Sequence, residues 1–172
     1  MKDYGRVHAI YGNGKGKTSA AIGMAIRAAG AGLSVGFIQF MKGGTSSEVS
    51  ILRGIDKIDY FCPGDHEFIL PDRKTLKAQR DHSRRALDYV RNLLTSEDMI
   101  VCDELLNAVI FDLVDADELR ELIDDHERDA ELVMTGLYIP VGIPLELFDY
   151  RTEMKRMSHP YPKLKARYGI EF

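Results

Sequence analysis

Short apolar runs alternate with segments of helical periodicity along the chain, and these runs predict β-strands. The predicted strands are residues 7–11, 35–40, 58–61, 99–103 and 132–135, with a sixth near 150–154. Strands that alternate with helices are typical of a mostly parallel sheet with helices on both faces. The pattern therefore predicts an α/β fold of three layers.

Three helices follow from the spacing of the apolar residues. Residues 17–31 are rich in alanine and apolar nearly all round, so we expect a buried helix there. A second helix begins near Asp72, which can cap it. One face of this helix carries Leu76, Ser83, Ala86, Leu87, Val90, Leu93 and Leu94. A third helix begins with Asp115 and Glu118 in the spacing of a capping box, and its apolar stripe consists of Leu119, Leu122 and Ile123.

Two segments have the composition of loops. Residues 43–47 are Gly-Gly-Thr-Ser-Ser, and residues 62–71 contain two prolines and a glycine. Loops at the strand ends of such a sheet commonly form binding sites.

Composition limits the class of protein. The chain has 172 residues, 45% of them hydrophobic and 29% charged, so we expect one domain over residues 1–172. The net charge of -4 argues against nonspecific binding to nucleic acid. We expect no membrane span, and residues 1–6 lack the apolar core of a signal peptide. Cys62 and Cys102 match no zinc or redox motif, and a buried, reduced Cys102 fits a cytoplasmic protein.

The strongest chemical signal follows the first predicted strand, where residues 12–18 are Gly-Asn-Gly-Lys-Gly-Lys-Thr. Glycines let the backbone curl and turn its N–H groups inward, and the next helix adds the positive end of its dipole. Lys17 supplies a mobile charge, and the Thr18 hydroxyl can bind a magnesium ion held by phosphates. These features predict a nucleotide-binding P-loop on a P-loop NTPase-like (RecA-like) fold, although Tyr11 stands where the standard motif has its first glycine.

A second signal is the apolar strand at residues 99–103, which ends in the adjacent acids Asp103 and Glu104. Such a strand supplies carboxylates to the magnesium ion beside a P-loop. We expect it to lie next to the P-loop strand, with at least one of the acids at the metal. Gln39 and Lys42 follow the second predicted strand and are weaker candidates at the same edge of the sheet.

Several segments resemble those of the P-loop type ATP:corrinoid adenosyltransferases, also called cob(I)alamin adenosyltransferases. The resemblance begins with the P-loop and its late first glycine, and it covers nearly the whole chain in the family's order. Its other segments are residues 28–32, 39–43, 101–105, 135–136, 152–154, His159 and 165–172, the last of which ends in Gly-Ile-Glu-Phe.

The resemblance implies transfer of the 5′-deoxyadenosyl group of ATP to the cobalt(I) of a corrinoid, with release of triphosphate. Cobalt(I) is the nucleophile, so the protein need supply none. The implied phosphate-binding residues are Asn13, Gly14, Lys15, Gly16, Lys17, Thr18 and Ser19. Lys17 and Glu104 are the implied catalytic residues. Thr18 and Glu104 would hold Mg²⁺, with Asp103 orienting it, while Gln39, Lys42 and Phe68 would contact the substrates.

The family also implies a homodimer and an electron donor, a reduced flavoprotein. Related enzymes place aromatic side chains below the cobalt, and the candidates here are Phe61 and Phe68. Two features depart from the family: the chain has no tryptophan, and Leu137 follows Thr-Gly where relatives usually have arginine.

Two other functions fit the same residues. A small-molecule kinase or NTPase would release ADP rather than triphosphate. A non-catalytic ATP- or corrinoid-binding module would bind ATP without turnover, and Leu137 with the altered aromatic loop keeps this alternative open.

Overall fold

A parallel six-stranded sheet forms the centre of the protein. The computed structural model describes residues 5–64, 76–124, 129–160 and 163–170. The strands are β1 Val7–Tyr11, β2 Val35–Gln39, β3 Ile58–Phe61, β4 Met99–Asp103, β5 Glu131–Gly136 and β6 Tyr150–Glu153. Their order across the sheet is β3-β2-β4-β5-β1-β6, and every neighbouring pair is parallel. The predicted α/β fold of P-loop NTPase-like type is confirmed.

Helices connect the strands and cover both faces of the sheet. They are α1 Lys17–Gly30, α2 Val49–Leu52, α3 Leu76–Leu93, α4 Leu105–Ile110 and α5 Ala116–Ile123, with a 3₁₀ turn at Leu145–Leu147. The predicted capping box of Asp115 and Glu118 starts α5. Asp72, the predicted cap of the preceding long helix, lies outside the described residues. None of the helices described in the structure combines the length and the apolar character that crossing a membrane requires.

The alternation of side chains along the buried strands creates the three layers. One face of the sheet packs against α3, α4 and α5 through Ile38, Ile100, Cys102, Leu132 and Met134. The other face packs against α1 and α2 through Phe37, Val101 and Val133. Cys102 is buried, as predicted, and burial raises the pKa of its thiol well above the ordinary value.

The first helix differs from its prediction. Only one face of α1 is buried, through Ala21, Ala25 and Ala28, whereas Ile26 is 44% exposed. The prediction of a buried helix is wrong because α1 belongs to an outer layer, where only the side toward the sheet is shielded. The apolar face predicted for α3 is confirmed, since Ser83, Ala86, Leu87, Val90 and Leu93 are buried.

The acid-bearing strand is also placed differently. We expected β4 beside β1, but β5 lies between them, pairing with both strands. The prediction of adjacency is wrong because a strand from later in the chain is inserted there, which no local pattern indicates. The acids still reach the P-loop region, since parallel strands end at one edge and α1 begins at that edge.

Candidate active site at the carboxyl edge of the sheet

The P-loop wraps around the Lys17 ammonium group. Lys17 Nζ donates hydrogen bonds to the carbonyl oxygens of Gly12, at 2.8 Å, and Gly14, at 2.9 Å. Gly16 has a φ of 110° where the chain turns into α1. The ammonium group and the free N–H groups at the start of α1 therefore lie together, and both attract phosphate.

The end of β6 determines the shape of this loop. Gly14 N–H donates to the Met154 carbonyl at 2.7 Å, and Met154 N–H donates to the Tyr11 carbonyl at 2.7 Å. A Cβ atom at Gly12 would lie 2.3 Å from the Met154 oxygen, and one at Gly14 would lie 2.7 Å from it. Glycine is thus required where the loop passes the chain after β6, and Tyr11 instead completes strand β1.

Gly12→Ala is expected to lower the free energy of unfolding by at least about 2 kcal/mol, because its φ of +119° and the Met154 carbonyl both oppose a side chain. Gly23→Ala is the matched control, since no atom lies within 4 Å of its added Cβ on helix α1. We expect Gly23→Ala to add about 0.5–1 kcal/mol. Urea unfolding of both variants measures the difference, and equal stabilities would contradict this account of the loop.

A buried carboxylate, Asp103, connects the P-loop to three strands. Its Oδ1 accepts hydrogen bonds from the hydroxyls of Thr18, at 3.0 Å, and Thr135, at 2.7 Å. Its Oδ2 accepts from Gln39 Nε2, at 3.2 Å, and Lys42 Nζ, at 2.6 Å. All of these groups come from carboxyl ends of strands or from the segments that follow them.

The charges of Asp103 and Lys42 stabilise each other. Burial alone would raise the pKa of Asp103, but the Lys42 ammonium and the two hydroxyls outweigh it and hold that pKa below the ordinary value. Burial alone would lower the pKa of Lys42, but the Asp103 carboxylate raises it above the ordinary value. Both groups are therefore charged at neutral pH.

Glu104 lies at the turn from β4 into α4, where its φ is 66°. Its N–H donates to Thr135 Oγ1 at 2.8 Å, and its Oε2 accepts a hydrogen bond from Asn107 Nδ2. Asn107 Oδ1 in turn accepts from Leu137 N–H at 2.8 Å. Burial and the neighbouring Asp103 charge raise the pKa of Glu104.

Sequence analysis did not find Thr135 or Asn107 as site residues. Asn107 lies three residues after Glu104 on a helix, a spacing that places two side chains on one face and could have indicated it. Thr135 is the penultimate residue of β5, a strand that the prediction did not place between β1 and β4. Leu137 contributes its backbone, because its carbonyl accepts a hydrogen bond from Gly12 N–H at 2.9 Å.

The chemistry of the donors fits Mg²⁺. Thr18, Asp103 and Glu104 offer only oxygen ligands, and Mg²⁺ commonly binds one or two carboxylates together with substrate phosphates. Among the described residues, no group of three or more His, Cys, Asp or Glu side chains could hold a metal by itself. The arrangement thus suits a metal that arrives with a nucleotide.

Gln39 supports the carboxylate from behind. It is buried, and its Oε1 accepts a hydrogen bond from the Tyr60 hydroxyl at 2.6 Å. Its Nε2 is also 3.4 Å from Glu48 Oε1. Burial raises the pKa of Tyr60, so the hydroxyl stays protonated and donates. Gln39 therefore orients Asp103, whereas Lys42 faces both the carboxylate and open space.

A cavity of about 830 Å³ adjoins Thr18 and Lys42, two of the residues that contact Asp103. It lies between the start of α1, the segment 42–48 and the chain near Ile170, and its lining includes Thr18, Ser19, Ile22 and Lys42. This wall combines polar groups at the P-loop with apolar side chains farther out. A volume of this size is typical of small-molecule sites.

The other predicted site residues are placed as follows. Asn13 and Lys15 are exposed on the P-loop, and Asn13 Oδ1 accepts a hydrogen bond from Arg156 N–H at 2.8 Å. Phe61 stacks on Tyr89 with ring centroids 4.1 Å apart. Phe68 lies outside the described residues.

Comparison with known proteins shows that the chain is similar to one protein family over nearly its whole length. The model of the family described as ATP:corrinoid adenosyltransferase BtuR/CobO/CobP matches residues 3–172. A corrinoid adenosyltransferase of Pseudomonas aeruginosa is 35% identical over 170 residues, which is 94% of this chain and 80% of that protein. One of Escherichia coli K12 is 31% identical over 171 residues, covering 94% and 82%. Corrinoid adenosyltransferase CobA of Salmonella typhimurium is 30% identical over 179 residues, covering 100% and 88%.

Proposed function

The chain belongs to the ATP:corrinoid adenosyltransferase family, and on that premise we propose that its P-loop holds the triphosphate of ATP while the 5′-deoxyadenosyl group passes to the cobalt(I) of a corrinoid. ATP-dependent adenosylation of a corrinoid is the activity that this membership gives. The residue roles below go further and rest on the geometry of the site.

One observation carries the proposal: the Lys17 ammonium, the start of α1 and the Thr18–Asp103 pair converge at one edge of the sheet. In adenosyl transfer, the bond between C5′ and its oxygen breaks as cobalt bonds to carbon. The electron pair of that bond goes to the α-phosphate oxygen, and the whole triphosphate leaves. Lys17 and the segment from Asn13 to Ser19 then stabilise the increased negative charge, through N–H groups other than that of Gly14, which donates to Met154.

Thr18, Asp103 and Glu104 are the proposed magnesium ligands, and the metal would supply further positive charge to the phosphates when bound. Asn107 fixes the Glu104 carboxylate through a hydrogen bond from its side-chain amide. Asp103 is already held by two hydroxyls and Gln39, so its position is determined before substrate binds. Such preorganisation lowers the cost of reaching the transition state.

The cavity beside Thr18 and Lys42 is the proposed place of the nucleoside. Its 830 Å³ suits a nucleoside, with Ile22 and Ile170 as apolar surface for the base. The larger corrinoid would then lie at the mouth of the cavity, with its cobalt facing C5′. Phe68 remains the proposed aromatic contact to the corrinoid.

Further proposals concern the setting of the enzyme. Cobalt(I) requires an electron donor, and a reduced flavoprotein is the class that we propose. Both cysteines are free thiols, which is compatible with a reducing cytoplasm. We also propose a homodimer, whose mass can be measured by light scattering.

We predict that intact triphosphate is released in step with formation of a light-sensitive cobalt–carbon bond. The test is phosphorus NMR of a reaction that contains ATP, Mg²⁺ and chemically reduced cobalamin, with the absorbance of the corrinoid recorded in parallel. Omitting the corrinoid is the control, and ATP should then be nearly stable. ADP and orthophosphate as primary products, formed without corrinoid, would instead support a kinase or NTPase. ATP binding without any product would support a non-catalytic module.

A further inference from the structure

Lys42 contacts two of the three proposed magnesium ligands. Its Nζ lies 2.6 Å from Asp103 Oδ2 and 3.3 Å from Thr18 Oγ1. We propose that the Lys42 ammonium is the resident counter-ion of the magnesium site, and that Mg²⁺ arriving with the nucleotide displaces it toward the cavity. This inference rests on the proposed function, because the magnesium site is part of it.

The buried Asp103 carboxylate needs a positive charge near it. Thr18, Thr135 and Gln39 satisfy its oxygen atoms with hydrogen bonds, but all three are neutral. A buried carboxylate without a counter-charge is strongly destabilising. Lys42 is the cation that the structure places in contact with Asp103, so it performs this role until a metal takes it over.

The Lys42 side chain can move while its backbone stays fixed. The Lys42 carbonyl accepts a hydrogen bond from Cys62 Sγ at 3.1 Å, and a Cβ at Gly64 would lie 2.1 Å from the same oxygen. The side chain itself is 19% exposed and lines the cavity. Rotation about its four-carbon stem is therefore enough to carry the ammonium from Asp103 into the cavity.

Electrostatics gives the direction of this exchange. A divalent cation between Thr18 and Asp103 would repel an ammonium group only a few ångströms away. At the end of the cavity beside Thr18 and Ser19, the same ammonium would meet the negative charge of the triphosphate on the P-loop, which lysine binds as a mobile point charge. Binding of metal and nucleotide would thus redistribute positive charge without leaving Asp103 uncompensated.

Thermal unfolding without nucleotide tests the proposal. Lys42→Met keeps most of the length of the side chain and removes its charge, so in EDTA its melting temperature should be about 10 °C below that of the parent. Millimolar Mg²⁺ should restore much of this loss in a saturable way, while the parent hardly responds. Lys42→Arg is the conservative control and should behave as the parent does.

The double variant Lys42→Met, Asp103→Asn removes both charges and should lose the response to Mg²⁺. A Lys42→Met protein as stable in EDTA as the parent would overturn the proposal. The proposal would also be overturned if Mg²⁺ raised the melting temperatures of Lys42→Met and the parent equally, or if it raised neither of them.

A second measurement does not depend on the folding of Lys42→Met. In the parent chain, the ¹⁵Nζ signal of Lys42 is assigned by its loss in Lys42→Arg. Adding Mg²⁺ to protein saturated with inorganic tripolyphosphate should move this signal, because the ammonium leaves Asp103. An unmoved signal would overturn the displacement. In a separate assay of the parent protein, without added tripolyphosphate, magnesium-dependent release of triphosphate from ATP in the presence of chemically reduced cobalamin would show that the proposed function stands even then.

Discussion

Lys17→Ala is expected to reduce kcat/KM for ATP about 10²- to 10³-fold, the usual cost of removing one preorganised group that stabilises transition-state charge. Lys17 is the P-loop ammonium that the carbonyls of Gly12 and Gly14 hold in place. Without it, the leaving triphosphate would keep the backbone N–H groups and the metal but lose a full positive charge. Steady-state kinetics and calorimetric titration with ATP measure the two parts of the effect.

Lys57→Ala is the matched control for this variant. Lys57 is exposed just before β3, at the amino edge of the sheet and therefore opposite the site. Its replacement should leave ATP affinity and turnover unchanged. Both variants should unfold close to the parent's temperature, since Lys17 is only partly buried. Unchanged affinity and turnover in Lys17→Ala would show that this P-loop does not bind the triphosphate.

Glu104→Gln should produce the second large effect, a loss of about 10²-fold in magnesium-dependent turnover, comparable to removing one electrostatic contact in an active site. The change removes a charge with little change of shape. Glu104 is the acid that the structure leaves with a neutral partner, Asn107, while Asp103 is paired with Lys42. Glu104 can therefore offer its charge to a metal without first losing an ion pair. The half-saturating Mg²⁺ concentration should rise together with the fall in turnover.

Glu121→Gln makes the same chemical change on the exposed surface of α5 and is the control. It should match the parent at every concentration of Mg²⁺. Glu104 also forms the turn from β4 into α4, so the unfolding temperature of Glu104→Gln is measured with and without metal to separate a structural effect from the loss of a ligand. A Glu104→Gln enzyme with the parent's activity at limiting Mg²⁺ would exclude Glu104 as a metal ligand.

The sequence by itself predicted most of the elements and the glycine-rich loop that leads into α1. Apolar runs located the four inner strands, β2, β4, β5 and β1, to within about one residue, because a strand buried on both faces needs consecutive apolar residues. The P-loop could be predicted because its glycines, Lys17 and Thr18 lie within one short segment. The same is true of Asp103 and Glu104, which follow directly on an apolar strand.

Local patterns could not give the order of the strands. The position of β5 between β1 and β4 depends on long-range pairing, and that pairing places Thr135 against Asp103. The predicted burial of α1 was wrong for a similar reason, since a helix of small apolar residues can lie within a core or on one face of a sheet. Only the neighbouring layers decide between these two environments.

The tertiary structure alone decided how the site is assembled. Lys42 and Asp103 are separated by 61 residues along the chain, yet their charges form one buried ion pair. The Met154 carbonyl that shapes the P-loop is a backbone group, so its role leaves no signal in the identity of its side chain. The sequence determined which chemical groups are present at the ends of the strands. The packing of those ends at one edge of the sheet determined which groups meet, because each contact joins segments whose spacing along the chain carries no information about their distance in space.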